Sequence, residues 1–331
     1  MRFLALTDHS GHSAQNSLYS LMRTLAADPR STSVHVASRG DLRNAAFFGG
    51  GAIRTAPYAK RVTGDFRFDP SGAVFVSATR TLSPAAADVL LLRLPRPIPD
   101  GFFGALRRWF GSDKPVVNDP AGIKLTGSKA FLLRFPELCP PLRLVRSADE
   151  VRALAAHYPI VLKPLREYGG RGIVQVRDGT AITGEGRLPL ARYLASVAGT
   201  LAEEGLLAMQ FLERVSEGDK RILVVNGQIL GASLRLPAAG NWLCNVAQGG
   251  SSHAAAVTAA ERRIVAGIAP TLYEAGVCFY GVDTLMGNDG ERVLSEINTL
   301  SVGGFPQAEA QSGRPVVQQA IDGLFSFLGV N

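Results

Sequence analysis

The sequence predicts an α/β protein that opens with a parallel-sheet domain and continues into a second, larger unit. Three observations lead there. Short apolar runs alternate with a helix-periodic segment near the N-terminus, the pattern of strands joined by crossover helices. The chain has 331 residues, and at about 150 residues per domain this suggests two. Hydrophobic residues make up 46% and charged residues 19%, enough for a sizeable core and unlike a disordered or collagen-like chain.

The elements follow in order. Residues 2–6, RFLAL, read as a strand that ends at polar Thr7-Asp8 and leads into a Gly/Ser/His loop. Leu18, Leu21, Met22 and Leu25 then mark one face of a helix. Residues 34–37 and 87–93 are further strands, the latter bounded by the turn-rich Pro95-Arg96-Pro97-Ile98-Pro99. Residues 114–120 resemble one more short strand, stopped by Pro120-Ala121-Gly122. The first domain boundary is placed there, giving units 1–121, 122–205 and 206–331. Leu142 to Val145 is a strand, and Ser147 with Glu150 three residues on is a capping box that opens a helix. Ile160-Val161-Leu162-Lys163-Pro164 is a buried strand closing on a lysine, and residues 178–190, rich in Gly, Thr and Pro, read as a surface loop. Residues 206–212 and 221–225 are strands, and Asn226-Gly227 is the clearest hairpin signal in the chain. Residues 276–284 and 292–297 are strands flanking the turn Gly287-Asn288-Asp289-Gly290.

The net charge, 35 − 28 = +7, is scattered, and its densest stretch is only Arg107-Arg108-Trp109. This favours phosphorylated or acidic small molecules as partners over nucleic acid. No run of about 18 uncharged apolar residues occurs, and the N-terminal apolar run is too short for a signal peptide, so a cytoplasmic protein without a membrane span is expected. Cys139, Cys244 and Cys278 lie far apart with no CxxC spacing, which suggests neither a disulfide framework nor a structural zinc site. His9, His12 and His253 fall in loops and no GxSxG occurs, so triad chemistry is not indicated. Cys139 beside two prolines reads as packed, and Trp242 as a lid or surface aromatic.

Three constellations can carry chemistry. Lys163 at a strand end precedes Gly169-Gly170-Arg171-Gly172, where glycines would let backbone N–H groups approach phosphate oxygens while the ammonium neutralises them. A glycine hairpin beside a solvated lysine would give the same local pattern. Glu296 and Asn298, at i and i+2, share one face of a strand, and Asp283 on a neighbouring strand could join them. Three hard oxygen donors on one face suit Mg²⁺. A turn-flanking Asp283 and a solvated Glu296 are the plainer alternative, weakened because both acids interrupt apolar strands. Third, Glu217-Gly218-Asp219-Lys220-Arg221, Arg235 and Asn245 before Gly249-Gly250 could converge as a clamp for phosphate or carboxylate, or form only a charged turn.

Taken in order, Asn118-Asp119-Pro120 with Lys129-Ala130-Phe131, the Lys163 strand with Gly169-Gly170, the run from Glu217 to Gly227, Leu234-Arg235-Leu236-Pro237, Asn245 to Gly250, Gly281-Val282-Asp283 and Ser295-Glu296-Ile297-Asn298 closely resemble the bacterial glutathione synthetase family. Their order and spacing cover about residues 115 to 305 and are those of the ATP-grasp architecture. The resemblance implies an N-terminal parallel α/β domain followed by a two-lobed ATP-grasp domain. It also implies an ATP-dependent ligase in which a substrate carboxylate is phosphorylated and an amine attacks the acyl phosphate, with γ-glutamylcysteine and glycine as the default pair. Lys129 and Lys163 would contact nucleotide phosphates, Gly169, Gly170 and Gly172 would cover them, Met209, Gln210, Phe211 and Leu212 would line the adenine, and Glu217 would reach the ribose. Asp283, Glu296 and Asn298 would bind two Mg²⁺, with Mn²⁺ as a substitute, and Arg235 and Asn245 would hold the γ-phosphate and acyl phosphate. Ser17, Arg93, Gly249, Gly250 and Ser301 would contact the substrates, and many members form homo-oligomers.

Departures from the family pattern fall where substrates should bind. Leu243-Cys244-Asn245 replaces Arg-Gly-Asn, Leu94-Pro95 replaces the Lys-Asp after Arg93, and Thr299-Leu300-Ser301 replaces Thr-Ser-Pro. Another acid and amine pair, or a nucleotide-binding module without catalysis, are the competing expectations. The intact Arg235, Asp283, Glu296 and Asn298 speak against the latter.

Overall fold

In the computed structural model, which describes residues 1–237 and 251–330, three sheets follow one another along the chain. The first contains β1 (Arg2–Thr7), β2 (Ser33–Ser38), β3 (Tyr58–Arg61), β4 (Thr79–Thr81), β5 (Val89–Arg93) and β6 (Val116–Val117), in the order β4-β3-β2-β1-β5-β6. β1 pairs in parallel with β2 and β5, and β5 with β6. Phe3 to Thr7 are buried on both faces, as a parallel strand covered by helices requires. Helix α1 (Ser17–Ala27) buries the predicted Leu18, Leu21, Met22 and Leu25. The parallel expectation stops at the edge, where β3 and β4 run antiparallel. The connection from β2 carries only a 3-10 turn (Leu42–Asn44) and the one-turn helix α2 (Ala45–Phe48), too short for a crossover. Buried Asn44 turns the chain back there, its Oδ1 accepting from Tyr58 N–H at 2.7 Å and its Nδ2 donating to the carbonyls of Ser38 and Tyr58. A second one-turn helix, α3 (Ala73–Val76), and helix α4 (Phe102–Phe110) complete this unit.

Pro120-Ala121-Gly122, expected to be a stop, instead begins helix α5 (Pro120–Thr126). Asp119 caps it by accepting from Ala121 N–H at 2.7 Å, and proline at the first helical position gives up a donor that would have had no partner.

The second sheet has β7 (Leu142–Val145), β8 (Ile160–Pro164), β9 (Val174–Arg177), β10 (Thr180–Thr183), β11 (Gly186–Pro189) and β12 (Leu206–Gln210), all antiparallel, in the order β11-β10-β9-β8-β12-β7. The capping box of Ser147 and Glu150 opens α6 (Ala148–Ala155) as the sequence predicts. Residues 178–190, expected as a loop, hold the β10–β11 hairpin, because positive φ at Asp178, Gly179 and Gly186 supplies tight turns that leave the residues between free to pair. Helices α7 (Leu190–Ser196) and α8 (Ala198–Glu203) follow. Leu206–Gln210, expected to open the last unit, pairs with β8 and β7 and so belongs to this sheet.

The third sheet has β13 (Asp219–Val225), β14 (Gln228–Leu236), β15 (Ser251–Ala254), β16 (Phe279–Met286) and β17 (Arg292–Asn298), in the order β15-β14-β13-β16-β17. Asn226 and Gly227 both have positive φ and form the predicted hairpin turn. Alternation along β13 sends Ile222 and Val224 to one core, beneath α9 (Ala259–Glu274), and Leu223 and Val225 to another, beneath α10 (Phe305–Ser312) and α11 (Val316–Phe327). That second core also holds Phe3, Ala5, Leu21 and Leu25, so the first and third units share one hydrophobic interior. The cleft that matters lies between the second and third sheets.

Candidate active site

A cleft of about 830 Å³, counted out to its mouth, is walled by Val161 and Lys163 of β8, the glycine loop, Met209 to Leu212, Asp219 of β13, Leu285 of β16, and Ser295 and Glu296 of β17. Lys163 reaches it because it stands next to the end of an apolar strand whose preceding residues, Ile160 to Leu162, are buried. Its ammonium donates to Ser295 Oγ at 3.2 Å, has no salt bridge among the described residues, and is only 9% exposed. Burial pushes its pKa down, and the charge of Glu296 opposes that. Lys129 Nζ lies 3.5 Å from Glu296 Oε1, 5.0 Å from the Tyr168 ring centre, and against the Glu167 carbonyl. Gly169, Gly170 and Gly172 all take positive φ in the loop between β8 and β9. At Gly172 a Cβ would meet Pro164 at 2.9 Å, so only glycine folds the loop down over the strand end.

The oxygen donors come together as the i, i+2 spacing predicts. Asp283 and Glu296 are direct partners across β16 and β17, and Asn298 Nδ2 donates to Asp283 Oδ2 at 3.2 Å. Asp283 is also gripped by two arginines: Arg221 binds both of its oxygens and Arg235 Nη2 lies 3.0 Å from Oδ2. Burial works to raise the Asp283 pKa, and Arg221 and Arg235 outweigh it, holding the carboxyl below its ordinary value. Arg235 also donates to Asp219 Oδ2 at 2.6 Å. Burial, then the charge of Asp283, push Asp219 up to about 6, and its Oδ1 is buried without a hydrogen-bond partner among the described residues.

Several expected residues stand elsewhere. Glu217 is on the surface, paired with Arg214 at 2.6 Å, and the cleft wall there is Val215 and Asp219. The signal for Asp219 was its i, i+2 relation to Arg221, which puts both on one face of β13. By the same alternation Lys220 points away from the supposed clamp, to Glu261 at 2.8 Å, which is buried and accepts also from buried Thr284 and from Thr258 at the surface. Ser17 is 1% exposed, and its Oγ accepts from the N–H groups of Gly304 and Phe305, capping α10. Arg93 is buried at the end of β5, donating to the Val302 carbonyl, with Nε unpartnered among the described residues and its pKa pushed down to about 10 by burial. Ser301, at positive φ, donates to the Arg93 carbonyl at 3.1 Å. Asn245, Gly249 and Gly250, with Trp242, Leu243 and Cys244, lie outside the described residues. Cys139 is packed, its thiol pushed up to about 12 by burial. No helix among the described residues is long and apolar enough to cross a membrane.

A cleft between two antiparallel sheets, with Lys163 from one and Lys129 from a helical turn beside it, paired acids and an asparagine from the other and a glycine loop above, defines an ATP-dependent C–N ligase of the ATP-grasp type. The family profile described as "Prokaryotic glutathione synthetase, ATP-grasp domain" matches residues 128–313, and the chain belongs to that family. A glutathione synthetase of Bradyrhizobium diazoefficiens is 36% identical over 61% of this chain and 60% of its own length. One of Prochlorococcus marinus is 33% identical over 72% and 74%. Among solved structures, the D-cycloserine synthetase DcsG superposes with a TM-score of 0.64 at 12% identity, over 99% of this chain and 100% of that one, a likeness of fold.

Proposed function

We propose that this protein forms an amide from a carboxylic acid and an amine at the expense of ATP, by way of an acyl phosphate, with γ-glutamylcysteine and glycine as the pair. The observation that carries the reading is Lys163, an ammonium buried without a salt-bridged carboxylate among the described residues, in a cleft covered by a glycine loop. A buried cation of this kind is stabilised by an anionic ligand. Lys129 and Lys163 bind the phosphates, Gly169 to Gly172 cover them, and Met209 to Leu212 hold the adenine. Asp219, whose buried Oδ1 has no partner among the described residues, would accept from ribose hydroxyls in the position expected for Glu217. Asp283, Glu296 and Asn298 are the residues that would hold two Mg²⁺, or Mn²⁺. Their hard oxygens on one sheet face fit that cation, which supplies charge neutralisation during phosphoryl transfer.

Arg235 and Arg221, fixed by Asp219 and Asp283, are preorganised cations beside the proposed cation ligand Asp283, and positioning of this kind is most of what phosphoryl transfer demands. Ser301 lines the cavity at the acid's end, and Arg93, Asn245, Gly249 and Gly250 complete the set by resemblance. The setting is cytoplasmic, the ligands are small molecules, and assembly into a homo-oligomer is in keeping with the family. Another acid and amine pair is the second reading, favoured by Leu94-Pro95 after Arg93 and by the Ser301 loop.

ADP release with MgATP decides between them. γ-Glutamylcysteine and glycine together should be required; release with a different pair only would keep the mechanism and change the substrates. Bound ATP without release under any pair would reject catalysis.

A further inference from the structure

A second cavity, about 1500 Å³ counted to its mouth, opens between the first unit and the glycine loop. Its floor is the end of β17, with Asn298, Thr299 and Ser301, and its rim carries Arg96, Arg166 and Arg171. One rim charge is neutralised internally, since Arg171 pairs with Glu167 at 3.4 Å. Arg96 and Arg166 have no carboxylate partner among the described residues.

Arg96 is the ordered one. Its guanidinium lies 4.5 Å over the Tyr168 ring centre, with Nη2 3.4 Å from the Gly127 carbonyl. Tyr168 is itself fixed, donating its hydroxyl to the same carbonyl at 2.9 Å. The backbone beneath Arg96 is braced as well: Arg39 donates to the carbonyls of Pro95 and Pro97 while held by Asp8 at 2.7 Å. Leu94, which stands where the family has lysine, is 1% exposed and anchors the loop in the core. A guanidinium stacked on a ring keeps its in-plane N–H edge open for a bidentate carboxylate, and little entropy remains to be lost on binding.

We infer that Arg96 is a specificity-determining residue that reads a second carboxylate of the acid substrate, remote from the carboxylate activated beside Asn298. The inference rests on the ligase reading above, whose acid, γ-glutamylcysteine, carries two carboxylates, and it adds the residue that reads the one not activated. Arg96 takes no part in the chemistry, so its loss acts on the binding of one substrate.

The experiment is steady-state kinetics of wild type, Arg96→Ala and Arg96→Lys. It uses the active acid, its analogue with the second carboxylate converted to an amide, and calorimetry of both acids on MgATP-loaded protein. Arg96→Ala should raise KM for the acid about 10- to 100-fold, the worth of a charge-assisted pair, leaving KM for ATP and for the amine within about twofold, and Arg96→Lys should recover part of the loss. The amide analogue should bind wild type weakly and Arg96→Ala no worse than the parent acid does. An unchanged acid KM, an equal rise for ATP, a rise confined to the amine, or an active acid with one carboxylate would each overturn the assignment. If wild type releases no ADP with any pair, the ligase reading fails, and calorimetry then judges Arg96 alone: no Arg96-dependent binding of a dicarboxylate overturns it.

Discussion

Asn118 should be among the most sensitive positions in the protein, although it lies outside the cleft. It is 4% exposed and uses its whole amide. Oδ1 accepts from the N–H groups of Cys278 and Phe279 at 2.9 and 2.8 Å, and Nδ2 donates to the carbonyls of Phe279 and Thr299 at 2.7 and 2.6 Å. One side chain therefore joins the end of β6 to the start of β16 and to the residue after Asn298. Asn118→Ala leaves two buried N–H groups without acceptors, each costing about 1–3 kcal/mol, and two carbonyls short of a donor. The sum is roughly 4 kcal/mol or more, a large share of a total stability of about 5–15 kcal/mol. Urea unfolding followed by circular dichroism measures it, as a lowered midpoint at unchanged slope. Because Thr299 loses its tether, turnover in the folded fraction should also fall more than ATP affinity does. A loss below about 1 kcal/mol would show that water or backbone rearrangement satisfies these groups, and the reasoning would be refuted.

Glu296→Gln should lower kcat by about 100-fold or more with an unchanged unfolding midpoint, since it removes charge from the cation-binding face; near-normal turnover would remove Glu296 from that role. Gly122→Ala should cost several kcal/mol, because a Cβ there would sit 2.1 Å from the Ala275 carbonyl oxygen, where α5 meets the end of α9; a melting temperature equal to wild type would contradict it. His35 is 1% exposed, its ring nitrogen Nε2 accepts from Arg80 at 3.0 Å, and burial, then the charges of Arg80 and Arg61, push it down to about 4. The unfolded chain takes up that proton near pH 6.5, so this stability is complete above pH 6.5 and is lost as pH falls toward 4, by up to about 3 kcal/mol. Denaturation at stepped pH should show the loss, and His35→Gln should flatten it.

Local pattern carried much of this protein. The i, i+2 spacing of Glu296 and Asn298, the capping box at Ser147, the Asn226-Gly227 turn and the apolar face of α1 depend on neighbours within a few residues, so the sequence states them directly. Lys163 with its glycine loop was legible for the same reason, a strand end followed at once by residues able to take positive φ. Other features needed distant partners. Leu206–Gln210 reads as a strand in either lobe, and only its pairing with β8 and β7 assigns it. Glu217 and Asp219 are two residues apart in one acidic turn. The direction in which β13 enters the third sheet turns Asp219 into the cleft, while Glu217 finds Arg214 at the surface. Ser17 looked like a substrate contact, yet α10, nearly 290 residues away, claims its hydroxyl. Arg96 over Tyr168 joins segments from different units, and no periodicity within either segment encodes that contact. Sequence thus determined which residue types stand on which face of each element, because backbone geometry fixes that locally. The packing of three sheets decided which faces meet, because burial and charge pairing are settled only between residues that the chain brings together from afar.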